Sequence, residues 1–369
     1  MIGLTLSGEH FATNHFRGVE LSAQGIPVES GSTILPCGRD AKVIPVISVI
    51  IPTRNRPELL GRALASMRSQ SFAEFEVLVI DDCSSAESKA AYSAIWQHLD
   101  DRFVLLFLGD ASSTGVGPSE ARNAGIAAAR APVLAFCDDD DYWTDDTHLA
   151  MMAEVFSTLP DRSMYIANQT AVSLDGTIIK HCWLPDLERA VHGRQRSHPH
   201  GYQVSCDELA ECGGFAQLNI LAVNKALVDS QGGFWTRTSY EEDRDFFWRA
   251  ADGAAAIFFN PQIIGQHNVP DRTKKNNLSS SFSQVERWML SALVSQHIGI
   301  SVRNRAIQKL SINYEGDIFR HLSMHFVQHK RLDLGFQYAR RALAARTSWK
   351  WSAYTILLAC RSVMRKRAQ

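Results

Sequence analysis

Short apolar runs alternate with longer amphipathic segments through the first half of the chain. The apolar runs are too short for helices and are bounded by polar turns, which is typical of strands buried on both faces. The segments between them have helical spacing. This alternation predicts βαβ units and a parallel sheet. The predicted strands are 46–51, 75–80, 103–108 and 132–137, and the predicted helices are 56–70, 86–99 and 119–130.

The second half of the chain has a more mixed pattern. Residues 170–179 carry an Asp-Gly pair at their centre, which predicts a hairpin. Residues 218–224 and 255–264 predict further strands. Residues 240–252 predict a helix with acids in its first turn, where they suit the helix dipole. From about Ser283 we expect helices to the end of the chain.

Charge is distributed unevenly along the 369 residues. A hydrophobic fraction of 45% is ordinary for a globular protein with a large core. The net charge of −1 excludes a general nucleic-acid binder, which needs a basic excess. Residues 330–369, however, carry +9, and the remainder carries −10. This basic, aromatic tail predicts either a helical pair packed on the body of the protein or docking on an anionic membrane face.

Seven scattered cysteines indicate a reducing compartment and no disulfide framework. The first residues lack a basic segment followed by a long apolar run, so we expect no signal peptide. No apolar stretch is long enough to span a bilayer. These features predict a cytoplasmic protein.

Four consecutive acids follow the fourth predicted strand, at the edge where parallel sheets bind ligands. If the backbone stays extended, Asp138 and Asp140 point the same way. Carboxylates this close repel one another unless a cation is present, and Mg²⁺ or Mn²⁺ is the natural one. The alternative is a solvated acidic loop or helix cap.

The residues at the ends of two other predicted strands bear on which ligands and enzyme classes are expected. The second predicted strand ends in Asp81 and Asp82, which either form a turn or accept a hydrogen bond from a nucleobase or ribose. The first is followed by PTRNRPELL instead of a glycine-rich phosphate loop. That disfavours a dinucleotide oxidoreductase and a P-loop NTPase.

Four stretches in this order carry a family resemblance: VISVIIPTRNRPELLGRAL, FEVLVIDDCSS, GVGPSEARNAGIAAARAPVLAFCDDDDYW, and GGF followed by YEEDRDFFWRAADG. Together they resemble the inverting glycosyltransferases of family 2, over about residues 46–270. The resemblance implies an α/β fold of the GT-A type. That fold has a Rossmann-like, mostly parallel sheet flanked by helices, here with a helical C-terminal extension.

The pattern and the resemblance together predict three regions. Residues 1–45 form an N-terminal extension, residues 46–280 a catalytic domain, and residues 281–369 a helical C-terminal region with the basic tail. Within the catalytic domain, residues 46–145 are the expected nucleotide-binding half and residues 146–280 the acceptor-binding half.

The resemblance also implies roles for individual residues. Asp82 matches the acid that holds the base, usually uracil, and residues 138–140 match the D-x-D motif. Asp140 and His267 would bind Mn²⁺ or Mg²⁺. The implied nucleotide-binding residues are Thr53, Arg54, Asn55, Asp82, Arg122, Asp138 and Asp139.

Glu242 and Asp243 match the family's ED motif, in which the Asp is the usual base. Apolar neighbours raise the pKa of a carboxylate, which favours this role, whereas the helix N-terminus lowers it. Asp245 is the rival base, and capping of the helix by these acids is the alternative without catalysis. The basic residues after His267 would close over a diphosphate or form a solvated loop; they are Arg272, Lys274 and Lys275.

The implied function is metal-dependent transfer of a sugar, with inversion, from a nucleotide diphosphate sugar to an acceptor hydroxyl. A UDP-sugar donor is expected, with a glycan or lipid-linked acceptor in polysaccharide biosynthesis, and no nucleic acid. The tail suggests a peripheral position on the inner face of the cytoplasmic membrane. The alternatives are a sugar nucleotidyltransferase, whose glycine-rich basic loop is missing here, and a sugar-nucleotide-binding protein without catalysis.

One further cluster is outside this resemblance. His198, His200, Cys206 and Cys212 are close in sequence and are a conceivable zinc set. Their spacing fits no short finger pattern, which favours a variable loop on the acceptor side.

Overall fold

The computed structural model describes residues 34–35, 44–109, 114–173, 175–269 and 282–367. Most of the predicted N-terminal extension lies outside the described residues. So does the predicted diphosphate-covering segment with Arg272, Lys274 and Lys275.

Eleven strands of the described residues form one mixed sheet. Its order is β1-β4-β3-β2-β5-β10-β7-β11-β6, with β8 paired to β7 and β9 to β11. The strands are β1 (Ile34–Leu35), β2 (Ile47–Thr53), β3 (Phe75–Asp81), β4 (Phe103–Phe107), β5 (Val133–Phe136), β6 (Tyr142–Trp143), β7 (Ser163–Val172), β8 (Ile178–Lys180), β9 (Tyr202–Val204), β10 (Leu221–Asn224) and β11 (Ala256–Asn268).

The parallel half of the sheet confirms the predicted βαβ pattern. β4, β3, β2 and β5 lie side by side and are all parallel. β10 is antiparallel to both of its neighbours, and β7 and β11 are again parallel to each other. All seven residues of β3 are buried, because helices cover both faces of the sheet.

Twelve α-helices flank or extend the sheet in the described residues. The helices predicted near 56, 86, 119 and 240 are all present, and the region after Ser283 is helical. The helices are α1 (Pro57–Arg68), α2 (Ala86–Trp96), α3 (Pro118–Ala128), α4 (His148–Thr158), α5 (Pro185–Val191), α6 (Cys206–Cys212), α7 (Lys225–Gln231), α8 (Glu242–Gly253), α9 (Gln284–Ser301), α10 (Arg305–Gln328), α11 (Leu332–Ala345) and α12 (Trp349–Arg367).

The predicted hairpin near residue 175 is present but longer than expected. β7 already begins at Ser163 and pairs with β8 across a turn at Asp175 and Gly176. Gly176 has a φ of +83°, which a glycine adopts without steric cost. The predicted strand at 218 begins as a turn of 3-10 helix, Leu218–Ile220, before β10.

The C-terminal helices pack on the sheet domain and on one another. Ile298 of α9 and Ile307 of α10 join the main core. A second cluster forms between α9, α10 and α11 around Phe319, Leu322 and Ala342. Among the described helices, none is both long enough and apolar enough to cross a lipid bilayer.

Candidate active site

The four acids after β5 lie on a turn at the carboxyl end of the parallel strands. The amide of Asp141 donates to the carbonyl of Asp138 at 3.2 Å, so the backbone folds back and is not extended. Asp138 and Asp140 were expected to point the same way only on an extended backbone, and the backbone here is a turn. The turn instead brings carboxylate oxygens of Asp138, Asp140 and Asp141 within 4.8 Å of one another.

Asp139 is outside this group of three and anchors the turn to β2. It is buried and accepts a hydrogen bond from the Thr53 hydroxyl at 2.7 Å. Arg56 donates to Asp139 at 3.0 Å and to Asp140 at 3.1 Å. Burial raises the pKa of Asp139 to about 7, against the opposing effect of Arg56. Thr53 and Asp139, predicted to bind nucleotide, thus contact each other.

The end of β11 closes the other side of the acidic turn. Asp141 is buried; its carboxylate lies 2.9 Å from Nδ1 of His267 and accepts the Asn268 amide at 2.7 Å. The Asn268 side chain donates to the carbonyl of Asp140 at 2.6 Å. Nε2 of His267 lies 3.3 Å from Nε2 of Gln217. His267 therefore contacts one of the three carboxylates, that of Asp141. Its role as a direct metal ligand stays a prediction.

Asp82 holds the loop that leads into α3. Its two carboxylate oxygens accept the amides of Val116 and Gly117 at 2.6 and 3.0 Å. The side-chain ends of Asp82 and Arg54 pack so closely on Gly115 that a Cβ there would force them to move. Asp82 and Arg54, two predicted nucleotide contacts, therefore lie together at the end of β3.

Asn55 joins the turns that follow β2 and β3. Its side-chain oxygen accepts the Ser85 amide at 2.8 Å, and its own amide donates to the Ser84 hydroxyl at 2.8 Å. Asn55 has a φ of +57°, a left-handed conformation that Asn tolerates better than most residues. In this structure, Asn55 shapes the loop in which the resemblance predicts nucleotide contact.

Arg122 connects the acidic turn with the start of α8. Its side chain is 6% exposed and donates to Asp138 at 2.7 Å and to Glu242 at 2.9 Å. Burial would lower the pKa of Arg122, but the two carboxylates outweigh it and raise this pKa. Arg122 therefore links Asp138 of the acidic turn to Glu242 at the start of α8.

Asp243 and Asp245 differ sharply in their surroundings. Asp243 is partly buried, and burial together with neighbouring Glu242 raises its pKa to about 7. Asp245 is fully buried and bonded to Arg249 at 2.8 Å and to His297 at 2.6 Å. Because both oxygens of Asp245 are held by partners in the core, Asp243 is the better placed of the two to accept a proton.

The turn before α8 is fastened to α3 and to the core. The Asn123 side chain donates to the Phe234 carbonyl at 2.9 Å and accepts its amide at 2.8 Å. The Phe234 ring stacks on Phe246 of α8 at 4.0 Å, and both rings meet the edge of Phe136. These contacts hold the start of α8 against the end of β5.

The suggested zinc set does not form as a group of four in the described residues. His198 and His200 lie together, but their nearest metal-binding partner is Glu154 of α4. Cys206 and Cys212 are outside that group.

Parts of this chain are similar to a known protein family and to individual glycosyltransferases. The family model of glycosyl transferase family 2 matches residues 48–218, which include the acidic turn. Over this segment the chain is similar to glycosyl transferase family 2. A glucosyltransferase of Campylobacter jejuni, GalNAc(5)-diNAcBac-PP-undecaprenol beta-1,3-glucosyltransferase, is 38% identical over 98 residues, 27% of this chain and 30% of that protein. The chain spans about a third of the length of the curated relatives it matches.

Solved structures support the GT-A architecture expected of family 2. Residues 1–349 of S. aureus TarS, in complex with UDP-GlcNAc, align with a TM-score of 0.54 and 16% identity, covering 82% of this chain and 92% of that one. The mannosyltransferase PcManGT of Pyrobaculum calidifontis, in complex with GDP-Man and Mn²⁺, aligns with a TM-score of 0.50 and 16% identity, covering 87% and 80%. At this level of identity the likeness establishes the fold alone.

Three residues of the candidate site are absent from the predicted site residues. Arg56 pairs with two of the acids, and Asp141 and Asn268 join the acidic turn to β11. Arg56 directly follows the loop of predicted contacts, and Asp141 belongs to the four-acid run, so position in sequence was the available signal. Asn268 directly follows His267, which gave the same kind of signal, although its partners in the acidic turn are more than a hundred residues away.

Proposed function

We propose that this protein transfers a sugar, with inversion, from a nucleotide diphosphate sugar to a hydroxyl of a glycan or lipid-linked acceptor. One arrangement carries the proposal: three carboxylates converge at the carboxyl ends of the strands, and Arg122 links them to the start of α8. The match of residues 48–218 to the model of glycosyl transferase family 2 supports the reaction class. A UDP-sugar donor follows from the family's usual base contact at the position of Asp82.

The proposed cofactor is Mn²⁺ or Mg²⁺. Asp138, Asp140 and Asp141 offer a set of hard oxygen ligands within 4.8 Å, which suits such a cation. When bound, the ion would supply positive charge against the diphosphate leaving group. PcManGT, whose structure holds Mn²⁺, supports this choice by analogy.

The proposed base is Asp243. A carboxylate with a raised pKa near neutrality both ionises at working pH and binds a proton well. It would accept the proton of the acceptor hydroxyl as that oxygen attacks the anomeric carbon. Glu242 is bonded to Arg122, so we assign it to positioning α8 and not to proton transfer.

The two halves of the proposed catalytic domain would contact different substrates. Residues 46–145 carry most of the proposed donor contacts, and residues 146–280 would shape the acceptor side. The Campylobacter jejuni relative is named for an undecaprenol-linked acceptor, which supports a lipid-linked class for this chain as well.

We also propose that α12 rests on an anionic membrane face. Trp349, Ile356 and Leu357 are exposed at 78, 65 and 47% and form an apolar stripe on this helix. The surrounding tail carries +9, which complements anionic lipid. Sedimentation with phosphatidylglycerol vesicles should fall for Ile356→Ser with Leu357→Ser. Equal sedimentation would contradict the docking proposal without affecting the catalytic one.

Release of nucleoside diphosphate from a panel of nucleotide sugars tests the function. With Mn²⁺ we expect release from at least one UDP-sugar, and loss of that release in excess EDTA. A sugar nucleotidyltransferase would instead release diphosphate from a nucleoside triphosphate and a sugar phosphate. A binding protein without catalysis would hold the donor and release nothing.

A further inference from the structure

A second group of metal-binding side chains lies far from the acidic turn. Glu154 on α4 and His198 and His200 before β9 have ligand atoms within 4.8 Å of one another. β9 pairs with residues 257–259 at the start of β11, whereas His267 lies near its end. β11 carries bulges, so its partner β7 gives the separation: Tyr165 pairs with Phe258, and Ala171, six residues further along β7, pairs with His267. Six residues of strand span about 20 Å, so this group belongs to no part of the site described above.

The spacing of the three side chains suits a small tetrahedral ion. Nε2 of His200 lies 2.9 Å from one oxygen of Glu154, and Nε2 of His198 lies 3.7 Å from the other. Ligands of a tetrahedral zinc ion are separated by about 3.3 Å, a value that these two distances bracket. Two imidazoles and one carboxylate with a fourth position left for water are a ligand set that zinc accepts.

The two histidines are held in place before any ion binds. The side chains of His198 and His200 are only 12 and 25% exposed, and their ring centroids lie 5.2 Å apart. His198 packs edge-on against Phe258 of β11 at 5.8 Å. In the structure, Nδ1 of His198 accepts a 3.3 Å hydrogen bond from the His200 amide. When Nε2 of His198 binds a metal ion, the ring proton is on Nδ1, so this hydrogen bond is lost and the metal bond replaces it.

We propose that Glu154, His198 and His200 bind a divalent transition-metal ion, best Zn²⁺, that fastens the segment before β9 to α4. Imidazole ligands favour zinc over Mg²⁺, whereas the all-carboxylate acidic turn favours the harder ions. The two sites are therefore separable by metal type. The residues just before this group, 192–197, are all exposed, so the ion would tie down a surface segment.

Zinc binding to the full chain, free of any polyhistidine tag, tests this site. Equilibrium dialysis is performed with excess Mg²⁺, which competes at the acidic turn. We expect one zinc per chain in the wild type, and an affinity at least about tenfold weaker when His198→Gln and His200→Gln are combined. His192→Gln changes an exposed histidine in the same segment and should bind as the wild type does. Asp140→Asn should also bind normally.

A protection measurement checks the fastening. Trypsin cleavage after Arg194 or Arg196 should slow several-fold with zinc in the wild type and in His192→Gln, but not in the double variant. Glu154→Gln, which changes a side chain 57% exposed, gives the same expectation if the double variant folds poorly. Equal zinc affinity in wild type and in either site variant, or no zinc bound by the wild type, would overturn the proposal.

Discussion

Arg122 donates a hydrogen bond of 2.9 Å to Glu242, a residue 120 positions further along the chain. A second nitrogen of the same guanidinium donates to Asp138 at 2.7 Å. Because the side chain is nearly buried, neither bond competes strongly with water. Arg122 therefore helps to fix the distance between the acidic turn and the proposed base, together with the Asn123 and Phe234 contacts.

Replacing Arg122 by Met should separate binding from turnover. Without the bridge, α8 loses the one direct ion-pair link to the acidic turn that the described residues show, and a misplacement of about 1 Å costs on the order of 100-fold in rate. We expect kcat to fall by about that factor at saturating donor. Arg130→Met removes an arginine paired with Glu76 elsewhere and serves as control. Turnover of Arg122→Met within a few-fold of this control would contradict the bridging role.

Asp243→Asn and Asp245→Asn should fail in different ways. Asp243→Asn removes the proton acceptor, so turnover should fall by about 100-fold or more while the donor Kd stays constant. Asp245→Asn weakens the bonds to Arg249 and His297 in the core, which should cost about 1–3 kcal/mol of unfolding free energy.

Steady-state rates, donor titration and thermal melting of both variants distinguish these outcomes. Each should be corrected for its folded fraction. If Asp243→Asn turns over normally and folded Asp245→Asn does not, the base is Asp245.

The pH dependence of kcat/KM should report the ionisation of Asp243. Its pKa is raised to about 7 by burial and by Glu242. Only the ionised carboxylate accepts a proton, so the rate should rise with pH and level off above this pKa. The measurement is made from about pH 5 to 9 with saturating metal. A rate that is flat through this range, or that falls as pH rises towards 7, would contradict the assignment.

His148 should make the protein sensitive to acid. Its ring is 1% exposed and packs against Trp143 at 4.9 Å, and burial lowers its pKa from 6.5 to about 3. Between these values the unfolded chain binds a proton that the folded chain does not. Stability should therefore fall as pH drops below 6.5, by up to about 1.4 kcal/mol per pH unit from this group.

Urea unfolding at several pH values tests the histidine effect. His148→Gln should lose this part of the acid sensitivity, whereas His192→Gln, at an exposed position, should keep it. An unchanged pH slope in His148→Gln would show that another group is responsible.

The sequence was sufficient for the parallel half of the sheet, because its central strands are buried on both faces and read as unbroken apolar runs. α4 was not predicted: most of its residues are apolar and buried, and its exposed polar face is narrow, with Glu154, Ser157 and Thr158. β6 and β9, of two and three residues, are too short to leave a pattern and exist through pairing with β11.

The site was less predictable than the sheet. The motifs predicted Asp138, Asp140, Glu242 and Asp243 as site residues. They did not predict the turn at residues 139–140, which brings Asp141 close to Asp138 and Asp140. The pairing of Arg56 with Asp139 and of Glu154 with His200 joins residues 83 and 46 positions apart. Such contacts depend on how strands and helices stack, which no local pattern specifies.

The most direct test of the account is the effect of Mn²⁺ on donor binding. Calorimetric titration with the UDP-sugar that supports release should give at least about tenfold tighter binding with Mn²⁺ than in EDTA, because an ion held by the three carboxylates would supply positive charge for the diphosphate. In Asp140→Asn this gain should be lost. Equal donor affinity with Mn²⁺ and in EDTA for the wild type, or an undiminished gain in Asp140→Asn, would contradict a metal-bound diphosphate at the acidic turn.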